Sequence, residues 1–130
     1  MSAIDAATLY AGLNLLLLLA LALLVVRQRM RHKVVLGDGG VEPLNRAIRV
    51  HGNAVEYAPL AVAGLVALAL AGAAVWIVHV GGVALTLGRV LHAQGLSASS
   101  GRSFGRAAGT LLTWGAFLWI GGAAIAVALT

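Results

Sequence analysis

Cysteine is absent from the 130 residues, which excludes a disulfide, a thiolate metal site and any mechanism that uses a protein thiol as nucleophile. Charge is also scarce. Only 10% of the residues are Asp, Glu, Lys or Arg while 61% are hydrophobic, and a soluble domain of this size cannot hide that much apolar side chain behind so little polar surface. Lipid must be the main solvent. Acidic residues are the rarest charges, four against nine Lys and Arg, giving a net charge of +5. That excess does not indicate nucleic acid, because the basic residues gather at the edges of apolar runs rather than on a face interleaved with aromatics.

What is present is a succession of apolar runs, each near the roughly 20 residues that a helix needs to cross a bilayer core of about 30 Å. The expected fold is an all-α, integral membrane four-helix bundle forming a single domain over 1–130, with spans at about 6–26, 46–71, 75–96 and 106–128. The first run lacks a basic segment before it, and Arg27, Arg29, Arg31 and Lys33 follow where a cleavage site would stand, so it reads as a retained helix rather than a signal peptide. A polar loop with Gly37, Asp38, Gly39 and Gly40 leads to Pro43, a residue suited to opening the second helix. Gly72 to Ala74 is too short to join anything but antiparallel neighbours. Positive charge concentrates in the first and third loops, so the positive-inside rule places both termini outside the cytosol, as for a multi-pass protein of a bacterial inner membrane. Gly81, Gly82, Gly88, Gly121 and Gly122 allow close helix approach in the last two spans.

Chemistry concentrates in the second helix. At 100° per residue, Arg46, Arg49, Asn53, Glu56 and Tyr57 fall within an arc of about 100°, so one stripe carries two guanidinium groups, an amide, a carboxylate and a phenol. A carboxylate and an amide near the membrane are costly without partners, and two readings meet that requirement. In one, Glu56 pairs with Arg89 or Arg49 and merely holds helices together. In the other the stripe lines a ligand site, since it has more donors than one carboxylate satisfies. Arg89 and His92, one turn apart in the third span, and Arg102 and Arg106 at the start of the fourth lie on the same cationic side. Together they define a cationic pocket suited to a small polyanion that also carries an ammonium group for Glu56.

The run Arg49, Val50, His51, Gly52, Asn53, Ala54, Val55, Glu56, Tyr57, Ala58, Pro59, Leu60 resembles the signature of the MAPEG family, the membrane-associated proteins in eicosanoid and glutathione metabolism. Gly88, Arg89, Val90, Leu91, His92 and the position of Arg106 add two further matches. The resemblance covers the whole chain. It implies a homotrimer with glutathione bound between subunits near the cytosolic face and no metal. By the same resemblance Arg49, Asn53, Glu56 and Tyr57 contact glutathione, Arg89 and His92 support the pocket, and Arg27 or Arg31 reaches the ligand's carboxylates. Arg106 would stabilise the thiolate, with Arg102 as the alternative. The eicosanoid-forming branches place tyrosines along the third helix, whereas this chain has none after Tyr57. The expected activity is therefore that of a glutathione transferase or peroxidase acting on lipophilic electrophiles or lipid hydroperoxides. The alternative is a noncatalytic membrane scaffold or small-ligand binding protein on the same fold. A channel fits less well, since no helix carries a polar stripe along its whole length.

Overall fold

The computed structural model of the chain describes residues 1–98, 101 and 103–130. Among them it contains four helices, α1 (Ala3–His32), α2 (Glu42–Leu70), α3 (Val75–Ala98) and α4 (Phe104–Ala128), each long and apolar enough to cross a membrane. The ends follow local chemistry. Ser2 caps α1 in a reciprocal capping box with Asp5, satisfying two backbone donors that the first turn leaves open. The helix does not stop where the apolar run stops. It continues through Arg27, Arg29 and Arg31 until Lys33 turns into the left-handed region at φ 55°, since charged residues outside the hydrocarbon are good helix formers.

The α1–α2 loop is held from both sides. Arg29 donates to the carbonyls of Val35 (3.2 Å) and Gly37 (2.9 Å), closing the helix end over the loop. Asp38 accepts from the Gly40 N–H and the Asn45 amide, which holds its carboxyl below the usual carboxylate range. Pro43 lies in the first turn of α2, where its missing N–H costs nothing. Ser103 caps α4, its hydroxyl accepting from the Arg106 N–H and donating to the Gly95 carbonyl at 3.2 Å, so the start of α4 is tied to α3.

α2 and α3 form the shared diagonal of the bundle, each touching all other helices, while α1 and α4 do not touch each other. One core cluster joins Leu65, Leu68, Val78, Leu85, Ala116 and Ile120 to Ala6, Ala7 and Tyr10; a smaller one, of Leu21, Val50, Ala54, Ala93 and Leu96, lies toward the cationic end. Large apolar side chains such as Leu15, Leu16, Leu60 and Leu118 point outward instead, the inverse of a soluble protein and the pattern lipid requires. α3 and α4 are the most closely packed pair. A Cβ on Gly88 would stand 3.0 Å from the Gly109 carbonyl oxygen, and one on Gly95 would stand 2.5 Å from the Arg106 nitrogen, so the two backbones meet with nothing between them.

Candidate functional site

The polar stripe of α2 is organised by a residue of another helix. Arg89 is only 2% exposed, and its Nη1 donates to Asn53 Oδ1 at 2.7 Å and to the Asn53 carbonyl at 3.4 Å. Its Nε donates to Thr113 Oγ1 at 3.0 Å, and its guanidinium carbon stands 5.0 Å from the centroid of the Tyr57 ring. The Thr113 hydroxyl spends its own hydrogen on the Gly109 carbonyl (2.8 Å), leaving a lone pair for Arg89. One buried cation therefore ties α2, α3 and α4 together through carbonyl, amide, hydroxyl and aromatic face, with no carboxylate involved. Tyr57 is fixed in turn edge-on against Phe117, ring centroids 5.7 Å apart, and takes a long hydrogen bond from Trp114.

Glu56 does not join this network. It is exposed at the edge of the stripe and pairs with neither Arg89 nor Arg49; Arg46–Glu42, at 3.3 Å, is the ion pair seen among the described residues. The purely structural reading, in which Glu56 neutralises a buried arginine within the chain, is thus corrected. Asn53 occupies the inward part of the arc and takes Arg89, whereas Glu56 lies some 60° round the helix and faces out.

With its carbonyl oxygen committed to Arg89, Asn53 keeps its amide N–H groups for a cavity of about 250 Å³. Glu42, Asn45, Arg46, Arg49, His92, Leu96 and Arg106 complete the lining. Three guanidinium groups against a single carboxylate, itself held by Arg46, give this cavity its cationic character. His92 and Arg106 also line a second hollow of about 480 Å³ on the other side, with Ser103, Ala107, Thr110 and Leu111. They are shared between a polar cavity and a space bordered by the exposed Ala107 and Leu111 of α4. Arg106 is half-buried and donates to the Gly101 carbonyl at 2.9 Å, which holds the guanidinium at the head of its helix.

The structure therefore brings Arg49, Asn53, His92 and Arg106 to one cavity, joined by Arg46, while Arg89 and Tyr57 stand behind it as its support. Arg27 and Arg31 are exposed on the last turns of α1 and do not line the cavity. Arg102 lies outside the described residues. Thr113, Phe117, Trp114, Glu42 and Asn45 were not foreseen as parts of this region, and only Thr113, four residues after Gly109 in an apolar helix, carried a sequence signal. Among the described residues no three His, Asp or Glu side chains converge as metal ligands would.

Comparison with known proteins bears on the family and the four-helix membrane fold, and extends over nearly the whole chain. The MAPEG family model matches residues 7–126, from the second turn of α1 almost to the end of α4. Two relatives, both called "Inner membrane protein YecN" and coming from two Escherichia coli strains, are 44% identical over 110 residues, covering 85% of this chain and 82% of theirs. No solved structure matches the chain. Four membrane-length helices, inner-membrane relatives at that identity and a family model spanning the bundle establish that the chain is a multi-pass integral membrane protein and belongs to the MAPEG family.

Proposed function

We propose that the chain is a membrane-bound glutathione transferase or peroxidase, which activates the glutathione thiolate for attack on a lipophilic electrophile or a lipid hydroperoxide. The observation that carries this reading is the double role of His92 and Arg106, which line both the cationic cavity and the lipid-side hollow. Glutathione carries two carboxylates, one ammonium and a thiol. Arg49, Arg46 and the Asn53 amide suit the carboxylates, and Arg106 stands where a thiolate in the cavity meets a substrate arriving from lipid. Glu56, exposed on a membrane helix, needs a partner from outside its own chain, and a neighbouring subunit of a homotrimer, with its bound glutathione ammonium, would supply one.

Purified protein in detergent, given glutathione and a chlorinated nitrobenzene, should form the thioether faster than the uncatalysed reaction, read by absorbance. Glutathione binding without conjugation would instead favour the ligand-binding protein on the same fold. Loss of both would overturn the site.

This reading puts the cationic cavity on the cytosolic side and both termini outside the cytosol. Single-cysteine variants test the orientation without background, since the native chain has no cysteine. On intact cells an impermeant thiol reagent should label Ser2→Cys and spare Lys33→Cys; the reverse pattern would invert the topology.

A further inference from the structure

The basic run that closes α1 divides between two sides of the helix. Arg29 turns over the α1–α2 loop and donates to the Val35 and Gly37 carbonyls, whereas Arg27 and Arg31 each stand about 160° round from it and are exposed. Among the described residues neither forms a hydrogen bond or an ion pair. The four acids of the chain stand elsewhere: Asp5 at the opposite end of α1, Asp38 bound by Gly40 and Asn45, Glu42 holding Arg46, and Glu56 facing outward from α2. Two guanidinium groups at a membrane edge are thus left without a counter-charge. The same face continues toward the membrane centre as an apolar strip. At 100° per residue Leu16, Ala20, Leu23 and Leu24 fall with Arg27 and Arg31 within an arc of about 100°, and all of them are exposed. From Leu16 to Arg27 the helix rises about 16 Å, roughly half of a bilayer core of about 30 Å.

One constituent of a membrane answers both halves of this face. A phospholipid acyl chain spans one leaflet, so a chain lying along the leucines brings its phosphate level with Arg27 and Arg31, which are one helical turn, about 6 Å, apart along the axis. Guanidinium groups bind phosphate oxygens through paired, charge-assisted hydrogen bonds. The headgroup decides between lipids. A zwitterionic lipid brings a cation of its own and leaves the positive charge of the site in excess, whereas an acidic lipid neutralises it. We infer that the Arg27 and Arg31 face of α1 is a binding site for an acidic phospholipid of the leaflet at the basic edge, its phosphate between the two guanidinium groups and one acyl chain along Leu16, Ala20 and Leu23. Neither arginine lines the cationic cavity, so the site does not depend on the glutathione reading, and either can fail without the other.

The discriminating probes are phosphatidylglycerol and phosphatidylcholine, each with a photoreactive diazirine in the middle of one acyl chain. Each is offered as a trace lipid to the full-length protein in phosphatidylcholine nanodiscs, with adducts mapped by mass spectrometry. Phosphatidylglycerol should label the segment from Leu16 to Leu24 about tenfold more efficiently, a difference of about 1.4 kcal/mol, and added salt should shrink that preference. Arg27→Gln combined with Arg31→Gln should erase it without moving the midpoint of thermal unfolding, because both side chains are exposed and unbonded within the chain. Lysine at both positions should retain part of it through charge alone. Equal labelling by the two lipids in the parent protein would overturn the proposal. So would an undiminished preference in the double glutamine variant with glutathione affinity lost, which would assign the arginines to the cavity of a neighbouring subunit. Absence of labelling by either lipid, with disulfide-linked subunits in Leu23→Cys, would overturn it as well, since a second copy of the chain would then cover the face.

Discussion

Arg106→Leu is expected to lower conjugation turnover at neutral pH by one or more orders of magnitude while leaving fold and assembly intact. The thiol of glutathione, by analogy with cysteine, has an ordinary pKa of about 8.5, so only roughly 3% is thiolate at pH 7. A guanidinium held beside it favours the charged form and loses no proton itself. If that contact lowers the thiol pKa by about two units, most of the bound thiol is ionised at pH 7, and each tenfold in rate corresponds to about 1.4 kcal/mol of barrier. The sign fixes the pH profile. A depressed pKa makes the parent active from about pH 6.5 upward, whereas the variant should gain activity only as pH rises toward 8.5 and recover in part above it. Ultraviolet difference spectra should show less bound thiolate in the variant near neutral pH. Arg106→Lys should retain some activity through its charge but not the planar two-donor geometry.

The competing role for Arg106 is that of an arginine snorkelling to lipid headgroups at a helix end. Its half-buried position on the wall of two cavities argues against that, because a fully solvated guanidinium would be screened and would shift a neighbouring thiol little. Full turnover and thiolate absorbance in Arg106→Leu, with both lost in Arg102→Leu, would move the catalytic role one helical turn toward the N-terminus.

The fold was legible because lipid imposes a coarse constraint: apolar runs of membrane length between basic edges leave little choice but four helices. The cationic cavity was legible in part. Helical spacing alone puts Arg49 and Asn53 on one stripe, and their convergence with His92 and Arg106 follows from the antiparallel order of α2, α3 and α4. What periodicity could not assign was the partner of each group. Arg89 and Glu56 have opposite charges and lie near the same depth, yet Arg89 finds its acceptors on Asn53 and Thr113 and the face of Tyr57, and Glu56 faces outward. An angular offset of some 60° within one helix decides this, and it acquires meaning only when the neighbouring helices are in place. Asn14 of α1, only 2% exposed and donating to Thr86 Oγ1 of α3 at 3.1 Å, escaped for the opposite reason: a single polar residue in a leucine run gives no periodic signal.

The site also depends on a contact that contains no functional group. A Cβ on Gly109 would run into the His92 backbone nitrogen and stand 2.6 Å from the Gly88 carbonyl oxygen, so the obstruction is backbone on both counts and no rotamer change relieves it. Gly109→Ala must push α3 and α4 apart. Overpacking of this kind costs about 1–3 kcal/mol where side chains can adjust, and the upper end is expected here because they cannot. The same displacement pulls Thr113, which donates to the Gly109 carbonyl, away from Arg89, and so loosens the group that orients the Asn53 amide. Gly109→Ala should therefore lower the midpoint of thermal unfolding by several degrees and weaken glutathione binding together, and Gly109→Val should fail to accumulate as folded protein. Gly121→Ala in the same helix is the control, since a Cβ there meets nothing within 4 Å and neither readout should change. A Gly109→Ala protein with the parent's unfolding midpoint and glutathione affinity would show that the α3–α4 contact is not what positions the site.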